Sequence, residues 1–404
     1  MCPSPTRPLL ITHRPQREEV FLPLSILLVL PMFMGYASLF SLQHKVKETF
    51  GIPDDDSTRS QLFSYLVMAL YLGNLFFRFG HNWVFRCWAS SQRVVVSIVA
   101  MMSSMLLIAF LFYIPASPCG LEWVAVTYFL GGCGIGTFEA NVLDVLTPYG
   151  EKTQGWSSLG IPSGVTSVTV GGFLLMGIGL PPVYLYFIVT GMLGVSLGIY
   201  FFYLPPPPEG NAYSSELMEV DRIEKGEYSS EAQIEFFPSL KIGWYYAALS
   251  LDMLCVALFS PGVMLYILDK KHISVTNPFG LNLHLRNAFF FLAYNSGTFI
   301  GASLGRVLAY KKRTLYHPFL PLLSGLLGIF IDLLIGHFWN IFTPLGGFCV
   351  MFMNGFLYNQ TWRVVDKRYG GKERLKILSY WLLFGDIGSV TGSGLINLIR
   401  SKSS

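Results

Sequence analysis

Five carboxylates stand in otherwise apolar stretches of the chain: Glu139, Asp144, Asp252, Asp332 and Asp386. Carrying an acid into a bilayer costs on the order of 3 kcal/mol on insertion scales unless it faces protein or water, so such residues mark solute pathways and proton relays by default. Low dielectric favours the neutral form of a carboxylic acid, which lets one take a proton from an acidic compartment and release it to a neutral one. The chemistry these residues suit is proton-linked movement of a solute.

Glu139 leads the candidates because it sits in GGCGIGTFEANVLDVL, where Gly131, Gly132, Gly134 and Gly136 permit close helix approach or local unwinding beside the acid. The competing reading of Glu139 is an interhelical hydrogen bond or a pair with a basic residue that serves packing alone. Asp144, five residues on, falls nearer a helix end, where a structural role is favoured. Asp252, in AALSLDMLCVALFSPG, precedes Pro261 and Gly262, which allow a break in the helix; it is the natural counterpart of Glu139 in the second half. Asp386 lies in LLFGDIGSVTGSGL among Gly385, Gly388, Gly392 and Gly394 and the hydroxyls of Ser389, Thr391 and Ser393. Packing is the expected role of those glycines and a polar pathway that of the acid. Asp332 has no partner in the sequence, and its role stays open.

A second set occupies YNSGTFIGASLGR, with Tyr294, Asn295, Ser296, Thr298, Ser303 and Arg306. Arginine holds a phosphate or carboxylate through two parallel hydrogen bonds, so Arg306 is a candidate contact for an anionic solute, with an interfacial anchor as the equal alternative. Bond-breaking chemistry finds little support: the sequence has no H-E-x-x-H pair and no Walker-type phosphate loop. An ion gradient, not ATP, would drive any concentrative transport.

These side chains need elements to hold them. Eleven stretches are apolar over about 20 residues, the length that carries an α-helix across a bilayer. They run near 20–43, 60–80, 93–115, 121–146, 157–180 and 182–204, then 241–267, 286–310, 316–336, 338–361 and 376–399. Hydrocarbon offers no partners for backbone groups, so the spans must be helices, giving an all-α polytopic membrane protein in a six-plus-five arrangement. The expected organisation is a cytosolic tail over 1–19, a six-helix bundle over 20–204, a flexible linker over 205–240 and a five-helix bundle over 241–404. The linker opens with Pro205 to Pro208 and is too acidic and polar to bury a core. Two bundles joined this way match the layout of major-facilitator-type transporters, whose halves rock around a midplane site.

Composition agrees. With 52% hydrophobic and 13% charged residues, against about 25% charged in a soluble domain, a soluble globular fold is excluded. The net charge of +4 is scattered through short loops, which argues against nucleic acid as a partner. Six cysteines (Cys2, Cys87, Cys119, Cys133, Cys255, Cys349) stand singly, so neither a disulfide framework, a metal site nor a cofactor is expected. The N-terminal segment leads straight into a full-length span, and targeting is assigned to that first helix.

With the N-terminus in the cytosol, Arg7, Arg14, Arg17, Arg78, Arg86, Arg93, the Lys311-Lys312-Arg313 cluster and Arg363, Lys367, Arg368, Lys372, Arg374 and Lys376 fall on one side, as the positive-inside rule requires. The opposite loops carry Asp54, Asp55 and Asp56, with Lys270, Lys271 and Arg286 as exceptions. Eleven spans then leave the C-terminus outside the cytosol. Asn359-Gln360-Thr361 is formally a glycosylation sequon, but it faces the cytosol in this topology and stays bare.

Several segments resemble the battenin family, lysosomal membrane proteins of neuronal ceroid lipofuscinosis. SQRVVVSIVAMMSSMLLIAF followed by GCGIGTFEANVL is similar to the family's third and fourth helices. WSSLGIPSGV, YNSGTFIGASLGR, NGFLYNQTWRVVD and FGDIGSVTGSGL then follow in the family's order, over about residues 93–399. Two departures stand out: Glu139 is displaced by about two positions from the family's glutamate, and Ala302 takes the place of an arginine. The resemblance implies a major-facilitator-like fold in lysosomal or vacuolar membranes, linked to export of glycerophosphodiesters and to lumenal pH and basic amino acid balance.

The expectation is therefore a non-enzymatic solute carrier in a lipid bilayer, working by alternating access on a small solute, anionic ones included, with protons as the coupling ion. Its expected pathway residues are Glu139, Asp252, Arg306, Asp386, Tyr294 and Asn295. Equilibrative nucleoside transporters share the eleven-span plan and are the alternative. A scaffold or receptor that does not transport is the alternative from another class; it would lack a central polar site and depend on the linker at 205–237.

Overall fold

The computed structural model describes residues 20–52, 57–85, 87–115, 118–206, 240–258, 283–311, 317–331, 342–369 and 371–403. The expected linker, Asp54 to Asp56, Lys270, Lys271 and Asp332 lie wholly or almost wholly outside these residues. All regular structure among the described residues is helical. We label the principal helices α1 (Pro23–Ser41), α2 (Thr58–Val84), α3 (Ser90–Tyr113), α4 (Glu122–Leu146), α5 (Glu151–Gly177) and α6 (Pro182–Tyr203). After residue 239 come α7 (Leu240–Ala257), α8 (Leu283–Lys311), α9 (Leu322–Phe330), α10 (Thr343–Arg368) and α11 (Gly371–Ser403).

Five of the described helices, α1, α2, α3, α5 and α6, are long and apolar enough to cross a membrane. Side chains such as Leu72, Phe76, Ile178 and Phe202 stand exposed on the outside of the assembly, as a bilayer-facing surface requires. One large apolar cluster draws only on residues between Leu22 and Leu193. A smaller one draws on Ala248 to Leu357, and a third joins Ala140 and Leu143 of α4 to Tyr246, Tyr358, Trp362, Leu378 and Trp381.

Glycine spacing sets the helix pairs. On α4, a Cβ at Gly132 or Gly136 would collide with the α2 backbone at Leu70, Asn74 and Arg78, so these two helices touch backbone to backbone. On α8, Gly297, Gly301 and Gly305 press in the same way against Pro344, Phe348 and Phe352 of α10. Gly160 and Gly164 of α5 seat against α1, and Gly388 and Gly392 of α11 against α7. Small residues four apart give such close crossings because van der Waals packing, not hydrophobicity, joins helices in lipid. The pairs α1–α5 and α2–α4 therefore recur six helices later as α7–α11 and α8–α10.

Some expected boundaries move. The fifth helix begins at Glu151, where Gly150 turns the chain with φ 98°, a left-handed value that favours glycine. The tenth runs on to Arg368 and the eleventh starts at Gly371, because basic residues expected in a loop are paired inside the helical assembly.

Candidate functional site

The glycine contacts place the charges. On α2, Asn74 and Arg78 are one turn apart on the face that meets Gly132 and Gly136; on α4, Glu139 follows Gly136 by three residues and so extends the same face. Arg78 Nη2 lies 2.6 Å from Glu139 Oε2, and Arg78 Nε donates to Asp386 Oδ2 of α11 at 2.9 Å. Tyr358 Oη of α10 donates to Glu139 Oε1 at 2.8 Å. Two helices from each side of the linker thus meet through one continuous line, Asp386–Arg78–Glu139–Tyr358.

The line continues into α8. The Arg306 guanidinium lies over the Tyr358 ring, 5.3 Å from its centre, and Nη1 donates back to Ala302 O of its own helix at 3.1 Å. Asn359 Nδ2 of α10 donates to Arg306 O at 3.1 Å. Beside it on α7, Asp252 is fully buried and accepts from Asn354 Nδ2 at 2.8 Å. Arg78 Nη1, Arg306 Nε and Asp252 Oδ1 are buried atoms with no hydrogen-bond partner.

A second layer of charge lies at the α4–α5 end of the assembly. Arg374 of α11 bridges Asp144 of α4 and Asp366 of α10, the latter at 3.2 Å, and Ser90 Oγ also donates to Asp144 at 2.7 Å. Glu151 at the start of α5 receives Arg363 at 3.1 Å and Lys367 at 3.4 Å, both from α10. With the cluster around Trp362 and Trp381, these pairs seal that end.

Of the expected pathway residues, Glu139, Asp386, Arg306 and Asp252 gather here. Three expectations change. Glu139 is bonded to Tyr358 and Arg78, whereas Asp252 is held by Asn354. Tyr294 packs into the apolar cluster with Cys255, Leu322 and Val350, and Asn295 donates back to Phe291 O at 2.8 Å. Tyr294 is three turns before Arg306, about 18 Å along a helix, which takes it away from the charged line. Arg78, Arg93, Arg363 and Arg374, expected as loop charge, are buried.

Arg78 is the residue sequence reasoning missed. The signal was available: it falls inside the expected span 60–80, one turn after Asn74 on a strip opposite glycines. Asn359, Gln360 and Thr361 of the formal sequon are all buried.

No family model matches the sequence, and no curated protein sequence matches it. Solved structures do match the whole fold. The chain is similar to the major facilitator superfamily proton:xylose symporter XylE bound to 6-bromo-6-deoxy-D-glucose, at TM-score 0.69 and 13% identity over 94% of this chain and 89% of that one. A bacterial homologue of the iron transporter ferroportin, in an outward-facing state with soaked iron, matches at TM-score 0.60 and 14% identity, covering 94% and 93%. A D-xylose-proton symporter matches at 0.59 and 11%, covering 92% and 88%. The fold is that of major facilitator superfamily transporters, an all-α polytopic membrane fold.

Proposed function

We propose that this chain is a solute transporter of battenin type, working by alternating access in a lysosomal or vacuolar membrane and coupling the movement of small solutes such as glycerophosphodiesters to the proton gradient. The observation that carries the reading is the buried line Asp386–Arg78–Glu139–Tyr358, which joins helices on either side of the linker. A buried ion pair contributes little net stability against a packed apolar core, and breaking it is costly, so retaining one at a moving interface suits a switch. Rocking of residues 20–204 against 241–404 would exchange its partners. The fold's likeness to proton symporters supports the same reading, and the resemblance to battenins supports the compartment and solute.

In this proposal Glu139 carries the proton, Arg78 answers its charge and that of Asp386, and Tyr358 reports it to the second bundle. The sealed end faces the cytosol, the N-terminus lies in the cytosol and the C-terminus in the lumen. Radiotracer uptake into proteoliposomes with an imposed pH gradient tests the scheme: wild type is expected to respond to the gradient, and Glu139→Gln to lose that response. Equal rates for both proteins at every gradient remove Glu139 from the coupling.

A further inference from the structure

Within the charged line, two groups of opposite sign have no ionic partner. Arg306 is 2% exposed and Asp252 fully buried; they feel each other's charge, yet no ion pair joins them. Arg306 spends one donor on its own helix and leaves Nε unbonded; Asp252 accepts from one amide and leaves Oδ1 unbonded. A carboxylate and a guanidinium held apart in a buried site each lose hydration that one amide, one carbonyl and the Tyr358 ring return only in part. Arg78 shows what compensation looks like in the same layer, with two carboxylates in contact.

We infer that the solute carries both a cationic and an anionic group, with its anion placed on Arg306 and its cation on Asp252. This rests on the transporter reading and narrows its substrate class to small zwitterions. Asp252 Oδ1 accepts from an ammonium and repels a bare anion, while Arg306 Nε donates to a carboxylate or phosphate and repels a bare cation. A solute with both groups returns both lost hydrations at once; one with a single charge leaves the other protein group uncompensated. Both side chains are closed off here, so the solute meets them when the bundles have parted.

The test uses purified full-length protein in lipid nanodiscs and a panel of amino acids, taurine and glycerophosphoethanolamine, each paired with the anion and the cation left when one charged group is removed. Equilibrium binding is expected to favour each bound zwitterion at least tenfold over both its counterparts. Asp252→Asn should bring a zwitterion down to the level of its anion, and Arg306→Gln down to that of its cation; Asp252→Glu, which keeps the charge, should restore the preference if Asp252→Asn folds poorly. Anions binding as tightly as their zwitterions overturn the inference, as does a panel that fails to bind while the proteoliposomes still move another solute. Proteoliposomes that move nothing strike the transporter reading itself.

Discussion

Arg78 and Arg306 hold matching places and live in opposite surroundings. Gly136 of α4 rests against the α2 backbone at Asn74 and Arg78; Gly355 of α10 rests against Ala302 O and the Arg306 side chain of α8. Each arginine lies one turn beyond the residue that its facing glycine touches, and three residues after each glycine come Glu139 and Tyr358, which hydrogen-bond each other. The two halves thus present the same frame. One fills it with an ion pair and the other with a cation over a ring. A desolvated cation–π contact offers about 2 kcal/mol, less than the several lost in burying the ion, so the C-terminal arginine is left under-compensated. The comparison teaches that identical packing can hold one charge locked and another free to take a ligand.

The largest expected break follows from removing the arginines in turn. Arg78→Met strands Glu139 and Asp386 without a cation and should destabilise by roughly 3–5 kcal/mol. Arg306→Met strands no contacting carboxylate and should cost no more than about 2 kcal/mol. Thermal unfolding midpoints in one detergent decide this, and an Arg306→Met at least as damaging as Arg78→Met defeats the asymmetry.

Next come the glycines that make the frames equivalent. Gly136→Leu and Gly355→Leu each drive a side chain into backbone and should cost about 1–3 kcal/mol by overpacking, in similar measure. A harmless substitution in either half means the frame is not shared.

Smaller again is the link between the halves. Tyr358→Phe removes the hydrogen bond to Glu139 and should cost about 0.6 kcal/mol, up to roughly 1.7 at most, in the membrane. In a double-mutant cycle with Glu139→Gln the two effects should fail to add, and full additivity disconnects the two residues. Smallest is Lys367→Gln at the sealed end, where Lys367 is 47% exposed on its side chain and Glu151 keeps Arg363; an effect within about 1 kcal/mol, fading with added salt, is expected.

Much of this was open to reading along the chain. Glu139 announced itself through the glycines before it, and Asp386 and Arg306 through theirs, since small residues four apart are where helices approach in lipid. Arg78 was obscured by its place near a span's end, where a positive charge ordinarily counts toward orientation. Tyr294 and Asn295 looked like pathway residues because polarity inside a span is informative, yet the direction and depth of a side chain depend on which neighbour its helix face meets. Tyr358 is one of three polar residues closing the tenth helix in the sequence, and only the fold sets it opposite Glu139.

The one-dimensional pattern settled the solvent and the class of structure: long apolar runs demand helices, because lipid leaves backbone groups no other partner. It also settled which positions carry costly charge. Which charge answers which was decided by the tertiary structure alone, because Arg78, Glu139, Tyr358 and Asp386 are separated by tens to hundreds of residues and meet only where α10 and α11 close on the glycine-packed pair α2–α4. Coulomb energy falls with distance through space, and the sequence records only distance along the chain.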